Sequence, residues 1–429
     1  MNLDPRRSTP SSLIFITVIT ISGFANLALH PAYAQTKEAA PNTLNNCSFD
    51  GMPAKIAAPT DASTGNLKIF WNPKTKMLTR MKFPECKREL LGVRTEFDDR
   101  KEIEEQDGSK LAYTFTPDEA SPNGTLFGVC YNRTISVPRY RCLGKENGEE
   151  YVDERKWCWY SPQGELRELK SKYFRDEAYS SPQEVVLASD GEWIGWLEGA
   201  ALDTRFPKCN ELGRKMYLTV QLKLLQPRTG QQKAVALPAA LATVVGEGSG
   251  RLRILSIDGA AKEITLVFSK FAESDQIYAM SFEGKVIRGP DATGVNTTYG
   301  SLKHFKSGWI GRGTPASSKF KSNAKGGVAA WHFTAGKGKY EAGTFERLEC
   351  GSVFGVFASP TGEYVAIQMK FSGRCLNPTY RKGITHIIRV ADNKKILDLD
   401  SNQETGPGVT FFNNYIMHES KLIDLAAIK

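Results

Sequence analysis

The chain has 429 residues, of which 41% are hydrophobic, and its formal net charge is +9 at pH 7. After residue 34 it contains no apolar run of the roughly 20 residues that a membrane-spanning helix needs, which argues against a membrane-spanning protein. The positive charge favours acidic partners or an anionic surface.

Residues 1–34 have the pattern of a secretory signal peptide. Arg6 and Arg7 form a positive n-region, residues 13–21 begin an apolar h-region, and residues 32–34 (Ala-Tyr-Ala) form a small-residue cleavage site. We therefore predict cleavage after Ala34 and a periplasmic or secreted bacterial protein. Removing two arginines and one aspartate lowers the formal charge from +9 to +8.

Hairpin turns recur along the mature chain, residues 35–429. The clearest lies in residues 356–367, where Ser359 and Pro360 preset a turn between two apolar strands and Gly362 supplies the left-handed position. We place a first turn in each repeat on Gly65, Gly124, Gly191, Gly250, Gly308, Gly362 and Asn414. A second turn follows on Gly164, Gly230, Gly284, Gly336 and Asn393. Two hairpin turns per repeat predict four strands per repeat.

Four-stranded repeats of this length resemble the blades of a β-propeller. The turns in residues 188–194 (ASDGEWI) and 359–366 (SPTGEYVA) are similar to the Ser-Pro-Asp-Gly-Lys turn of TolB-type bacterial propellers. We predict one all-β domain over residues 35–429, a seven-bladed β-propeller with four-stranded antiparallel blades, and keep six blades as the alternative. Only two strands follow Asn414, so we expect residues 45–56 to supply the outer strand of the last blade.

Four connections are long, and in a propeller they emerge together on one face. They cover residues 131–156, 198–215, 311–327 and 370–383. Long loops on a rigid repeat scaffold are where binding residues usually lie.

Eight cysteines remain in the mature chain, and an even number in an exported protein predicts disulfides. None lies in a CxxC pair, which argues against a thiolate zinc site. Connectivity cannot be deduced from sequence, but placement on the blades favours loop staples between Cys47 and Cys86, Cys130 and Cys142, Cys158 and Cys209, and Cys350 and Cys375.

Two of the long connections are basic and contain no acidic residue. Because they belong to adjacent blades, we expect them to form one anion-binding patch, interleaved with an aromatic side chain. The alternative is the ordinary solvated surface of a basic protein. The predicted ligand-binding residues are Arg312, Lys319, Lys321, Lys325, Arg374, Tyr380, Arg381 and Lys382.

Other candidate sites are weaker. Residues 398–404 offer oxygen ligands at alternate positions, as a calcium loop does, but lack its glycine and its final glutamate. The four mature histidines, His304, His332, His386 and His418, could meet near a propeller axis and bind copper or zinc, although scattered hydrogen-bonded histidines explain them as well. We therefore predict no metal site and no cofactor, with calcium as the alternative.

Neither a GxSxG nor an HExxH motif is present, so the catalytic residues are unknown. We predict a monomeric binding or scaffold protein of the envelope that uses one propeller face. Its partner would be an envelope protein, an anionic glycan or a lipid headgroup, and we expect no nucleic acid. The alternative is a propeller enzyme that acts on envelope glycans or a small substrate.

Overall fold

The computed structural model describes residues 43–44, 67–72, 77–93, 101–104, 110–113, 116–120, 125–141, 144–160, 166–169, 185–201, 217–246, 251–270, 273–315, 327–341, 351–371, 383–401, 403, 405–418 and 421–428. The chain divides into two compact units, Met1–Ala40 and Pro41–Lys429, and every described residue belongs to the second. The predicted signal peptide lies outside the described residues, so its cleavage site stays a prediction.

The described residues are almost entirely β-strand, and seven antiparallel sheets of three or four strands, numbered I to VII, follow one another along the chain. The first strand is β1 (Thr43–Leu44). Sheet I contains β2 (Leu67–Asn72), β3 (Met77–Lys82) and β4 (Lys87–Val93). A separate hairpin follows, formed by β5 (Lys101–Glu104) and β6 (Lys110–Tyr113). Sheet II contains β7 (Thr116–Ala120), β8 (Leu126–Arg141), β9 (Gly144–Tyr160) and β10 (Leu166–Glu168).

The next two sheets are separated by the one helix of the described residues. Sheet III contains β11 (Val185–Leu187), β12 (Ile194–Ala201), β13 (Tyr217–Leu225) and β14 (Gln232–Val235). The helix α1 (Ala239–Gly246) begins directly after Pro238, a residue tolerated at a helix start because it has no N–H to satisfy. Sheet IV contains β15 (Arg251–Asp258), β16 (Glu263–Ser269), β17 (Gln276–Ser281) and β18 (Val286–Ala292).

The last three sheets complete the chain. Sheet V contains β19 (Val295–Phe305), β20 (Gly308–Pro315), β21 (Val328–Phe333) and β22 (Gly336–Glu341). Sheet VI contains β23 (Gly351–Ala358), β24 (Tyr364–Phe371), β25 (Ile384–Arg389) and β26 (Lys394–Asp400). Sheet VII contains β27 (Thr410–Phe412), β28 (Tyr415–His418) and β29 (Lys421–Asp424), with β1 added beside β29.

Most of the predicted hairpin turns are confirmed. The first turns of sheets III, V, VI and VII fall at Gly191, Gly308, Gly362 and Asn413–Asn414, and second turns fall at Gly230, Gly284, Gly336 and Asn393. The first turn predicted on Gly250 is wrong, because β15 begins at Arg251 and the turn that follows it is formed by residues 259–262. In that turn Lys262 takes the left-handed position, with φ 51°, whereas Gly259, the first residue of the turn, does not.

The predicted loop at residues 131–156 is wrong as well. It is a β-ribbon in which β8 and β9 continue their pairing from Tyr131 opposite Lys156 as far as Arg141 opposite Gly144, with a register shift between Pro138 and Tyr140. Residues 198–215, 311–327 and 370–383 each begin within a strand and continue outside the described residues.

Sheets III to VII are each packed on both of their faces. In β24, Val365, Ile367 and Met369 pack with side chains of sheet V, whereas Tyr364 and Ala366 pack with side chains of sheet VII. Successive side chains of a strand point to opposite faces, so an almost continuous apolar run places a strand between two neighbours. Comparable clusters join sheets II and III, III and IV, and IV and V.

The first and last described strands meet in sheet VII. The Thr43 backbone lies opposite Ile423 and that of Leu44 opposite Leu422, so an N-terminal strand closes the last sheet. The described pairing lies immediately before the predicted segment, residues 45–56, which is outside the described residues, so that part of the expectation stays a prediction. Sheet VII also packs on sheet I, where the rings of Phe83 and Phe412 stack with centroids 3.8 Å apart.

Consecutive antiparallel sheets packed face to face, with the first and last in contact, form a β-propeller. The described residues include no apolar cluster that joins sheets I and II. The blade number of seven therefore stays a prediction.

Candidate functional site

The two ends of the strands in sheets IV, V and VI form different surfaces. The hairpin turns with Gly308 and Gly362 lie at one end, which we call the turn face. At the other end β20 stops at Pro315 and β24 stops at Phe371, and the chain leaves the sheets in longer connections. We call this end the loop face.

Arg312 connects sheets V and VI near the loop face. It lies three residues before the end of β20, and its Nη1 donates to the Val353 carbonyl oxygen at 3.3 Å and to the Phe354 carbonyl oxygen. Both acceptors belong to β23, the first strand of sheet VI. A guanidinium is always charged and offers several donors in a fixed plane, so it can hold two backbone carbonyls at once.

Phe354 is the extra residue of a β-bulge. Val353 lies opposite Met369 and Gly355 lies opposite Gln368, so Phe354 has no residue across from it in β24. A bulge of this kind turns one side chain out of the regular alternation. The Phe354 side chain is accordingly 47% exposed, whereas Val353 before it and Val356 two residues after it are buried.

Lys370 completes this exposed group. Its Nζ lies 5.9 Å from the centroid of the Phe354 ring, within the range of a cation–π interaction. Its backbone carbonyl accepts a long hydrogen bond, 3.5 Å, from the Ser352 hydroxyl. We call Arg312, Phe354 and Lys370 the aromatic–basic cluster.

The two basic connections begin beside this cluster. β20 leads into residues 316–326 and β24 leads into residues 372–382, and the contact of Arg312 with β23 brings these two strand ends together. Of the predicted ligand-binding residues, the structure places Arg312. The other seven lie outside the described residues, so the composition of the patch stays a prediction: Lys319, Lys321, Lys325, Arg374, Tyr380, Arg381 and Lys382.

Polar contacts also join sheets IV and V at the loop face. Asp275 is fully buried, and its Oδ2 accepts hydrogen bonds from the Thr297 backbone N–H at 3.0 Å and from the Thr297 hydroxyl. Arg253 Nη2 donates to Thr297 Oγ1 at 2.6 Å and lies 4.0 Å from Asp275 Oδ2. A buried carboxylate is tolerated only with such partners.

Sheets VI and VII are joined in a similar way. The Thr385 hydroxyl, which is buried, donates to the Pro407 carbonyl oxygen at 2.7 Å, and the Gln368 amide donates to the Gly406 carbonyl oxygen. Side chains of one sheet thus bind the backbone that enters the next sheet. These contacts make the loop face a stiff base for its connections.

The histidines lie in separate environments. Ser256 Oγ and His304 Nδ1 are 2.8 Å apart, near the turn face. Burial lowers the pKa of His304 to about 4, assisted by the positive charge of Arg288. His386 is buried and hydrogen-bonded to Asp398, with Nδ1 and Oδ1 2.7 Å apart.

Asp398 is the first residue of the calcium alternative, and it already has two partners. Burial disfavours its charged form, but the hydrogen bonds from His386 and from Lys395, whose Nζ lies 2.7 Å from Oδ2, hold its pKa below the usual value. Among the described residues there is no group of three or more histidine, cysteine, aspartate or glutamate side chains placed to hold a metal ion.

The side chains of two cysteines are described. Cys86 and Cys158 are disulfide-bonded, and neither is a free thiol. The side chains of the other six lie outside the described residues, so the four predicted pairings stay predictions.

No protein-family model matches the chain, and no curated protein matches it. Among solved structures it is similar to a prolyl endopeptidase, with 9% identity and a TM-score of 0.42, covering 83% of this chain and 44% of that one. TolB from Acinetobacter baumannii gives 11% identity and a TM-score of 0.35, covering 83% of this chain and 67% of that one. A streptogramin B lyase gives 14% identity and a TM-score of 0.34, covering 89% of this chain and 95% of that one.

The chain thus spans less than half the length of the endopeptidase. It resembles TolB-type propellers at the level of the fold, and the order and packing of its own sheets carry that assignment. No helix among the described residues is long and apolar enough to cross a membrane.

Proposed function

We propose that this chain is an exported binding or scaffold protein that uses the loop face of its propeller to hold an anionic partner. The observation that carries the proposal is the contact of Arg312 with β23, because it sets the beginnings of the two acid-free basic connections side by side. Positive charges grouped on one surface attract a negatively charged partner at longer range than any single contact does.

The scaffold supports this role. The loop face is tied from sheet to sheet by Asp275, Arg312 and Thr385, so its connections start from fixed positions. Binding residues carried on a rigid framework lose less entropy when a partner docks. The signal-peptide pattern of residues 1–34 favours an envelope location for the protein, and therefore for its partner.

The test uses the mature protein and three anionic probes: poly-L-glutamate, heparin and vesicles containing phosphatidylglycerol. We expect at least one probe to bind, with an affinity that falls as salt rises, because exposed charges are screened beyond about 10 Å at 0.1 M salt. The double variant Arg374→Glu/Lys382→Glu should bind at least about tenfold more weakly, a loss of roughly 1.4 kcal/mol.

A matched control reverses two charges in a connection of mixed charge, as Arg205→Glu/Lys208→Glu, and should change the affinity much less. Thermal unfolding of both variants should match that of the parent, because exposed substitutions usually cost less than about 0.5 kcal/mol. Affinities that ignored both salt and the Arg374→Glu/Lys382→Glu change would contradict the proposal.

A further inference from the structure

We propose that Phe354 is the apolar anchor of the loop face and that the partner is an acidic polypeptide segment presenting an apolar side chain to it. This inference rests on the proposed function and deepens it, since it names the class of partner.

The position of Phe354 differs from that of other exposed apolar side chains. Leu90, Val286 and Ile287 are also exposed, and scattered apolar residues on a surface need no explanation. Phe354, however, is the extra residue of a bulge, and Arg312 binds the carbonyl oxygens of Val353 and of Phe354 itself. The exposed ring is therefore held outward by a specific contact.

Its surroundings match the anatomy of a protein interface. Such interfaces have an apolar, often aromatic centre and a polar rim, and both phenylalanine and arginine are enriched in them. Here the Lys370 ammonium lies 5.9 Å from the ring centroid, and the Arg312 guanidinium binds the backbone carbonyl oxygen of the same residue. The centre would supply affinity by burial, and the rim would select negative charge.

The chemistry of the ring favours a polypeptide over a glycan. Phenylalanine has no hydroxyl or N–H, so it offers no hydrogen bond to the many hydroxyl groups of a sugar, unlike tyrosine or tryptophan. An acidic segment with an apolar side chain satisfies both parts of the aromatic–basic cluster, whereas an acidic segment without one leaves the ring exposed to water.

The experiment compares two probes of equal length and charge: a glutamate–serine peptide, and the same peptide with a central leucine. We expect the mature protein to bind the leucine peptide about tenfold more tightly, because about half of the apolar area of the two side chains leaves water. In Phe354→Ala the two peptides should bind equally, while the affinity for the glutamate–serine peptide and its salt dependence stay unchanged.

Ile287→Ala is the matched control. Ile287 is 55% exposed but lies on β18 in sheet IV, away from the cluster, so this variant should keep the tenfold preference. Phe354→Leu should keep most of it, which shows that an apolar side chain suffices. Unchanged thermal unfolding of all three variants would show that the fold is intact.

The outcomes separate the two proposals. A preference that survives Phe354→Ala overturns the anchor and leaves the anionic loop face standing. Binding of heparin or of phosphatidylglycerol vesicles with no binding of either peptide overturns the polypeptide partner and still leaves the loop face standing. Failure of every anionic probe to bind contradicts the proposed function itself.

Discussion

The turn face and the loop face join the same sheets by different means. At the turn face, Gly362 takes a left-handed φ of 73° and its α-carbon lies against the ring of Phe333 in sheet V. At the loop face the same two sheets are held by the guanidinium of Arg312 on the backbone of β23. The contact at the turn face depends on the absence of a side chain at Gly362. The contact at the loop face depends on the long charged side chain of Arg312.

This difference divides stability from binding. A joint made by close backbone packing tolerates no added atoms, because protein interiors are packed as densely as crystals. A joint made by a few hydrogen bonds tolerates variation around it, and the connections above it can differ in length and charge. We expect turn-face substitutions to reduce stability and loop-face substitutions to change binding.

The largest expected effect comes from glycine-to-alanine changes on the two faces. In Gly362→Ala the new Cβ would lie 2.5 Å from Phe333 Cδ1 in a left-handed backbone, and we expect a loss of about 2–4 kcal/mol of unfolding free energy. In Gly294→Ala, on the loop face, the φ of 73° remains unfavourable but no atom lies within 4 Å, so about 1 kcal/mol should be lost.

Gly408→Ala completes this series, since it has neither a left-handed φ nor a near neighbour and should cost less than about 0.5 kcal/mol. Urea unfolding of the three variants measures the order. If both variants lost the same unfolding free energy, the backbone conformation alone would set the cost. The proposed difference in packing between the two faces would then be contradicted.

The next largest expected effect is a loss of unfolding free energy in acid, caused by a histidine near the turn face. The folded pKa of His304, near the turn face, is about 4 against an ordinary value of 6.5, so the unfolded state binds more protons between these two pH values. Stability is therefore lost as pH falls from 6.5 to 4, by about 2–3 kcal/mol after allowance for partial exposure.

The variant His304→Gln should lose less unfolding free energy over this pH window than the parent does. Asp398 acts at lower pH. Its folded pKa lies below the ordinary 3.8, so the stability it contributes is present above that value and is lost as pH falls below it. Urea unfolding at several pH values checks both windows. A His304→Gln variant with the full acid loss would contradict this assignment.

The smallest expected effect concerns one hydrogen bond at the loop face. Thr385→Val keeps the shape of the side chain but removes the donor to the Pro407 carbonyl oxygen, and we expect a loss of about 1 kcal/mol. Thr243→Val removes a comparable bond on the exposed side of α1 and serves as the control, with an expected loss below about 0.5 kcal/mol. Thermal or urea unfolding of the two variants measures both losses. A loss at Thr385 as large as at Gly362 would remove the distinction between the faces.

The sequence predicts the turn face better than the loop face, for a physical reason. The turns at Gly362 and Asn393 depend on residues within four positions of each other, and serine, proline, glycine and asparagine indicate such turns locally. The turn at residues 259–262 was not predicted, although Asp258 and Gly259 precede Lys262, the residue that adopts the left-handed conformation.

The loop face depends on partners that are distant in sequence. Asp275 binds Thr297 over 22 residues, and Arg312 reaches β23 over 41 residues, so neither contact has a local pattern. Arg312 was assigned to the basic patch from its charge alone, and its structural contact with the next sheet could not be predicted. The bulge at Phe354 was also missed, since its strand reads as an ordinary apolar run.

The pairing of Thr43 with Ile423 has a consequence for the order of events during synthesis. Residues leave the ribosome from the N-terminus, so β1 emerges more than 370 residues before its partner β29. Local sheets such as III to VI can form as their strands appear, whereas sheet VII must wait for a contact of very large sequence separation, which forms slowly. A chain that stops before Lys421 lacks β29 and leaves an unpaired strand edge, which is a site for aggregation. A chain that extends through β29 is therefore needed to pair β1.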